Sequence, residues 1–155
     1  MRHTVTDRLC LSAPSYLFFT LPKFQTMRPR YADLFQALKD PDPVRSDRAF
    51  DDILFDRADA LPDLMEAFGQ FDDTPLVRYY LVQLMGFTED ARAIPAVLTA
   101  LDDPNADVRA EACRALEDLR ARDALPQLHA RLEDMDAKVR MAAEETIRAL
   151  GGWRT

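Results

Sequence analysis

Three independent rows of residues recur along this 155-residue chain with one period of about 31, and that repetition constrains its fold more than any other feature. Val-Arg pairs stand at Val44-Arg45, Val77-Arg78, Val108-Arg109 and Val139-Arg140, spaced 33, 31 and 31 residues apart. Apolar-Pro pairs stand at Leu61-Pro62, Ile94-Pro95 and Leu125-Pro126, spaced 33 and 31. A third row, Ile53, Met85, Leu116 and Ile147, is spaced 32, 31 and 31.

Each unit reads as two helices. Proline is tolerated near a helix start because first-turn amides lack an intrahelical acceptor. Behind it, Leu64 and Phe68, Val97 and Leu101, and Leu128 and Leu132 recur at helical spacing. Acidic turns follow at Lys39-Asp40-Pro41-Asp42-Pro43, Asp72-Asp73-Thr74-Pro75, Asp102-Asp103-Pro104-Asn105 and Glu133-Asp134-Met135-Asp136. Their Asp and Asn side chains suit the N-terminus of the second helix, by capping and by charge. That helix carries Val108, Ala112, Leu116 and Leu119 in one unit and Val139, Ala143, Ile147 and Leu150 in another, one face of a 3.6-residue period. Ala49, Ala112 and Ala143 leave room for close helix approach, with Leu81 in that slot of the second unit. Gly151-Gly152 ends the last helix. The predicted helices are 30–39, 43–56, 60–70, 74–87, 92–102, 105–119, 122–133 and 136–150. One such pair cannot bury its apolar stripe alone, whereas a stack can, so the expected fold is an all-α solenoid of four pairs.

The Asp-Pro turn, the Val-Arg opening the second helix and the Leu-Pro opening the first together resemble HEAT repeats. The short period is most like the compact bacterial HEAT-like repeats named for phycobilisome lyases. The resemblance spans residues 31–150. It implies a right-handed α-α superhelix and a structural ladder in which a turn Asp and an Arg six residues on join the repeats. Asp72 and Arg78, Asp103 and Arg109, and Asp134 and Arg140 have that spacing. The first unit departs from it, with Asp40 five residues before Arg45. HEAT-like repeats also occur in deoxyhypusine hydroxylases, which hold iron with His-Glu pairs; this chain has no His-Glu pair.

Chemistry finds little foothold. Of the two histidines, His3 precedes the repeats and His129 sits on a helix beside Leu128 and Leu132. Pairs such as Asp51-Asp52, Glu117-Asp118 and Glu144-Glu145 read as solvated surface. There is no glycine-rich phosphate cradle, nucleophile elbow or Cys/His metal spacing, so no catalytic residue, metal or cofactor is expected. Cys10 and Cys113 make no disulfide framework, and Cys113 reads as a buried, reduced thiol. Pro14 and Pro22 interrupt the apolar residues of 1–26, which have neither an export pattern nor a membrane-spanning length. A cytoplasmic protein is the expectation.

What remains is contact. The resemblance implies that the second helices line a concave face where partners bind. Taking the apolar stripe as inward, the opposite arc presents Asp47, Asp51 and Leu54, then Tyr79, Gln83 and Gly86. Ala110, Arg114 and Glu117 follow, and finally Met141, Glu145 and Arg148. Tyr, Met and Arg are favoured at protein interfaces. The leading expectation is therefore a non-catalytic protein-interaction module: an adaptor, regulator or assembly factor. Two alternatives stand beside it. One is chromophore handling like that of bilin lyases, implied by the resemblance. The other is nucleic-acid binding, disfavoured by a net charge of −7. Residues 1–26 form an extension, and 27–155 the repeat domain. The extension reads as a cap over the first repeat, a partner-binding segment, or sequence ahead of a natural start at Met27. Trp153 is expected to fold back over the final pair. The repeat ends and the extension are candidate surfaces for self-association.

Overall fold

In a computed structural model the described residues, 27–71 and 74–152, form eight α-helices and no strand. The helices are α1 (Pro29–Ala37), α2 (Pro43–Phe55), α3 (Arg57–Phe68), α4 (Pro75–Phe87), α5 (Ile94–Ala100), α6 (Ala106–Asp118), α7 (Leu125–Arg131) and α8 (Ala137–Ala149). Short 3-10 turns, Ala91–Ala93 and Arg122–Ala124, lead into α5 and α7. Each odd-numbered helix packs on the even-numbered one after it, giving four pairs stacked in sequence order. The expected all-α solenoid is the observed fold. The readings made for residues 1–26, Asp72, Asp73 and Trp153 lie outside the described residues.

The two layers pack differently. Helix α4 lies against α6, and α6 against α8, along much of their length, while the first helices of neighbouring pairs hardly touch. Small residues permit the close layer. Ala110, Ala112, Ala115, Ala142 and Ala143 are all buried there. A Cβ on Gly86 would stand 3.0 Å from the Ala115 Cα, so α4 and α6 meet almost backbone to backbone. A tight second-helix layer and a spread first-helix layer bend the stack, with the second helices inside.

The turns between the helices of a pair do two jobs. Asp42, Asn105 and Asp136 cap α2, α6 and α8, accepting from the Val44, Asp107 and Lys138 amides at 3.1, 2.9 and 2.8 Å. The Asp two residues earlier closes the turn: Asp40, Asp103 and Asp134 accept from the amides of Asp42, Asn105 and Asp136. Asp103 and Asp134 also join the pairs. Arg78 Nε and Nη2 donate to Asp103 at 2.7 and 3.0 Å, and Arg109 Nε and Nη2 donate to Asp134 at 3.0 and 2.9 Å. The spacing of six has a different meaning from a carboxylate pair. Arg109 and Arg140 each donate Nη1 to the backbone carbonyl of the Asp six residues before, at 2.8 and 2.7 Å. The Arg thus ties its own turn through a carbonyl and the next pair through a side chain 25 residues on.

The first pair breaks this pattern. Val77, Val108 and Val139 are 0% exposed, but Val44 is 73% exposed. Burial of Ala49 and Ile53 instead aligns α2 one residue later, which puts Ser46 where the other pairs carry the ladder Arg. Arg45 consequently turns back to Asp40 of its own turn at 3.2 Å. The link to the second pair runs through the outer layer. Arg28 donates its Nε and Nη2 to buried Asp63 at 2.9 and 2.6 Å and its Nη1 to Asp59, while the Tyr31 hydroxyl donates to Asp56 at 2.6 Å. This cluster also accounts for α3 starting three residues before the expected position 60, ahead of Pro62. The residues that form the extra turn are the ones α1 grips.

Two outcomes follow for stability. Asp103→Ala leaves Arg78 charged and buried, and should cost about 3–5 kcal/mol in urea denaturation, whereas exposed Arg140→Ala should stay within about 0.5 kcal/mol. The Arg109 guanidinium, with help from the Asp136 amide, holds the Asp134 carboxyl below its usual value near ~3.9. Its contribution is complete above that value and is lost as the pH falls through the lower, folded one. Acid titration of Asp134→Asn should therefore show a lower plateau at neutral pH and a shallower decline below about pH 4.

Candidate functional site

On the inner face of the second helices three adjoining cavities run along α4 and α6. The first, about 500 Å³, is bounded by Pro75, Leu76 and Tyr79 of α4, by Asp107, Ala110 and Arg114 of α6, and by Lys138 of α8. The second, about 560 Å³, shares Tyr79 and Arg114 and continues to Gln83, Phe87, Glu111, Glu117, Asp118, Glu145 and Thr146. The third, about 580 Å³, shares Phe87, Glu117 and Asp118 and reaches Leu54, Arg57, Gly86, Glu89 and Arg120. Shared lining residues make these one groove.

The groove has an apolar mouth and an acidic middle. Leu76 is 55% exposed and stands beside the Tyr79 ring. Tyr79 meets Tyr80 edge to face at 5.8 Å, and Tyr80 meets Phe50 of α2 in the same manner at 5.5 Å. At the floor, Glu111 is buried and accepts from Arg114 Nη1 at 3.2 Å, close to Tyr79. Burial, then the Glu111 charge and hydrogen bond, raise the Tyr79 hydroxyl above its ordinary range. At the mouth Lys138 bridges to Asp107 at 2.7 Å. Glu117, Asp118 and Glu145 form no ion pair among the described residues. Burial pushes the Asp118 carboxyl up from its ordinary value, and the Glu89 charge adds to that.

The structure brings Tyr79, Gln83, Arg114, Glu117 and Glu145 to one stretch of groove. Asp47 and Asp51 are exposed on α2 but line none of the three cavities. Met141 and Arg148 lie at the end of the stack. Met141 occupies the repeat position of Ala110, yet it is 61% exposed because nothing among the described residues stacks beyond α8. Gly86 and Ala110 also depart from the expected exposed arc. Gly86 is buried where α6 meets α4, and Ala110 is the 2% exposed floor of the groove mouth. The helical angle missed Leu76, Phe87, Glu111, Asp118 and Lys138. Asp107, Glu111, Arg114 and Asp118 share one arc of α6, so the true face is rotated by part of a turn from the expected one. Phe87 had a readable signal: with Phe55 it puts an aromatic at one repeat position outside the core row, and Phe55 is 92% exposed.

Other groups are placed away from this groove or made inert by burial. His129 is exposed on α7, in the outer layer. Cys113 is buried, and desolvation pushes its thiol up to about 12, far from a reactive thiolate. Among the described residues no three His, Cys, Asp or Glu side chains are grouped to hold a metal ion, and no helix is long and apolar enough to cross a membrane.

Comparison with known proteins concerns the repeats themselves. No curated protein matches the chain. Among solved structures it is similar to the complex of CpcE and CpcF of phycocyanin lyase from Nostoc sp. PCC7120. There the identity is 18%, the match covers 86% of this chain and 70% of that one, and the TM-score is 0.48. The family model described as HEAT repeats matches residues 94–154, the span from the start of α5 to the end of the chain. Residues 94–154 are therefore similar to HEAT repeats, in agreement with the resemblance that the Val-Arg and Leu-Pro landmarks express.

Proposed function

We propose that this protein is a non-catalytic interaction module whose inner groove, along α4, α6 and α8, receives a segment of a partner protein. The observation that carries this reading is the groove itself. It is continuous and flanked by Leu76 and Phe87, exposed apolar side chains that do not contribute to the core. A large exposed apolar side chain beside a cavity is a typical anchor point for a partner.

The walls suit recognition better than turnover. Arg114 is paired with buried Glu111, and the Tyr79 ring is held edge to face by Tyr80, which fixes the shape of the groove. Glu117, Asp118 and Glu145 repel a phosphate backbone, so the same surface favours protein over nucleic acid. Asp47, Asp51, Met141 and Arg148, exposed at either end of the inner layer, are proposed as rim contacts. A role for the chain as adaptor, regulator or assembly factor, acting in the cytoplasm, is part of the same proposal.

Tyr79 and Arg114 are poor positions for a test, since removing both would strand a buried Glu111 carboxylate and lower stability by itself. Leu76 is better. The tagged full chain and its Leu76→Asp variant should be compared by co-purification from the native cell, with Gln127→Asp on the outer layer as control. Proteins retained by the parent and the control but lost by Leu76→Asp, at unchanged melting temperature, support the groove. Equal recovery by all three would rule it out. Mixing with a free bilin tests chromophore handling separately, through a shift of its absorbance band.

A further inference from the structure

The ladder stops half-built at α8. Arg78 and Arg109 each give Nη1 to a backbone carbonyl of their own turn and their other nitrogens to the Asp 25 residues on. Arg140 makes only the first of these contacts, donating Nη1 to the Asp134 and Met135 carbonyls at 2.7 and 3.1 Å. Its Nε and Nη2 meet no carboxylate among the described residues, and the side chain is exposed. The complement stands at the other end of the stack. In the register that buries Ala49 and Ile53, Asp40 holds the position of Asp103 and Asp134, and it accepts the Asp42 amide as they accept theirs. Its present ion pair is with Arg45, which is 73% exposed, at 3.2 Å. Such a pair leaves room for a second cation, since Asp134 has Arg109 at 2.9 Å and Arg131 at 3.8 Å.

The flanks of the two ends match as well. Contacts inside the stack show which positions point along it. A Cβ on Gly86 would meet Ala115, and Glu111 shares a cavity with Tyr79 and Gln83. On α8 the positions of Gly86, Tyr79 and Gln83 are held by Arg148, Met141 and Glu145, and on α2 those of Ala115 and Glu111 are held by Asp52 and Arg48. A copy stacked on α8 as α6 stacks on α4 therefore sets Asp52 against Arg148, Arg48 against Glu145 and Asp40 against Arg140. Each contact joins opposite charges, which fixes register and orientation. Met141, 61% exposed in one chain, is covered among them. With Arg148 and Asp52 where Gly86 and Ala115 touch, the two helices stand farther apart than α4 and α6, at a distance that long charged side chains bridge.

We propose that this chain self-associates head to tail, the α8 end of one copy receiving the α2 end of the next, with Arg140 completing the ladder on Asp40 of that next copy. The contact joins two different surfaces, so it propagates along a row of copies instead of closing as a two-fold dimer. Association at the ends does not depend on the groove being occupied.

Sedimentation velocity of the full chain, from micromolar to about millimolar and at low and high salt, tests this. The expected mass rises with concentration beyond that of a dimer, and less so in salt. Arg140→Ala and Asp52→Arg should each weaken association at least about tenfold. Both positions are exposed, so both variants should melt like the parent. An equimolar mixture of the two should give a heterodimer and nothing larger, because one variant keeps its α2 end and the other its α8 end. A parent that is monomeric throughout would overturn the proposal, as would either variant associating like the parent or a mixture that stays monomeric. So would a zero-length crosslink from Lys23 to Asp51 or Asp52 of the same chain, which would put residues 1–26 on the α2 end.

Discussion

A buried arginine that holds its own turn with one nitrogen and the next pair's carboxylate with two others sets the register of this molecule. Arg78 and Arg109 each do so, and their aspartate partners in turn close the loop that leads into the following helix. A buried ion pair gains little net stability once desolvation is counted, but a misplaced one costs several kcal/mol. Its effect is therefore selective. Only one axial offset of α4 against α6, and of α6 against α8, satisfies every donor. The Ala and Gly contacts can close at that offset, with the Gly86 Cα facing Ala115 across the interface. The groove is the space left above helices locked in this way.

Both ends of the stack solve a different problem. A repeat in the middle is covered on two sides, whereas a terminal one must meet solvent or something else. At the C-terminal end Met141 and Glu144 stand at the repeat positions of buried Ala110 and Cys113. A buried small face is thereby replaced by a bulky, charged one, stitched by the Arg148–Glu144 pair at 2.7 Å. At the N-terminal end Ser46 stands at the ladder-Arg position, and the Arg28 cluster links the first two pairs through the outer layer. Helices α2 and α4 are accordingly less intimately packed than α4 and α6, and the groove opens towards Leu54.

Most of this fold was legible because its determinants are local and periodic. A proline near the start of each first helix and an acidic turn before each second one mark boundaries that lie within a few residues of the observed ones. What could not be read is whatever depends on neighbours in space. The Val44-Arg45 pair looks like its three counterparts, yet it is out of register by one residue, and only the burial of Ala49 and Ile53 reveals it. Asp and Arg six residues apart stood as candidates for a ladder between repeats, without showing which Asp each Arg takes. The actual partner lies 25 residues on, and sequence spacing does not show which oxygen an arginine will choose. The candidate site was half legible for a related reason. An arc drawn from an ideal helix places Tyr79, Arg114 and Glu117 on the free side. It cannot know that close approach of α6 buries Gly86, or that the end of the stack leaves Met141 away from the groove.

The carboxylates in the groove are where stability and use part company. A chain that selects sequence for folding alone tends to make each local choice agree with the global structure, and departures gather where a protein does its work. Here the buried acids have partners, the turn acids cap helices, and many surface acids are simply solvated. Asp118 fits these descriptions least well: partial desolvation and the nearby Glu89 charge raise its carboxyl, and it forms no ion pair among the described residues although Arg57 and Arg120 line the adjoining cavity. A neutral side chain at that position would relieve the local cost without disturbing the ladder or the core. Its charge is instead set beside Glu117 and across from Glu145, next to an aromatic ring that the core does not use. Each of those residues alone is ordinary surface. Together with Arg57 and Arg120 in the adjoining stretch, they set charges of both signs around one aromatic ring that neither the ladder nor the core calls for.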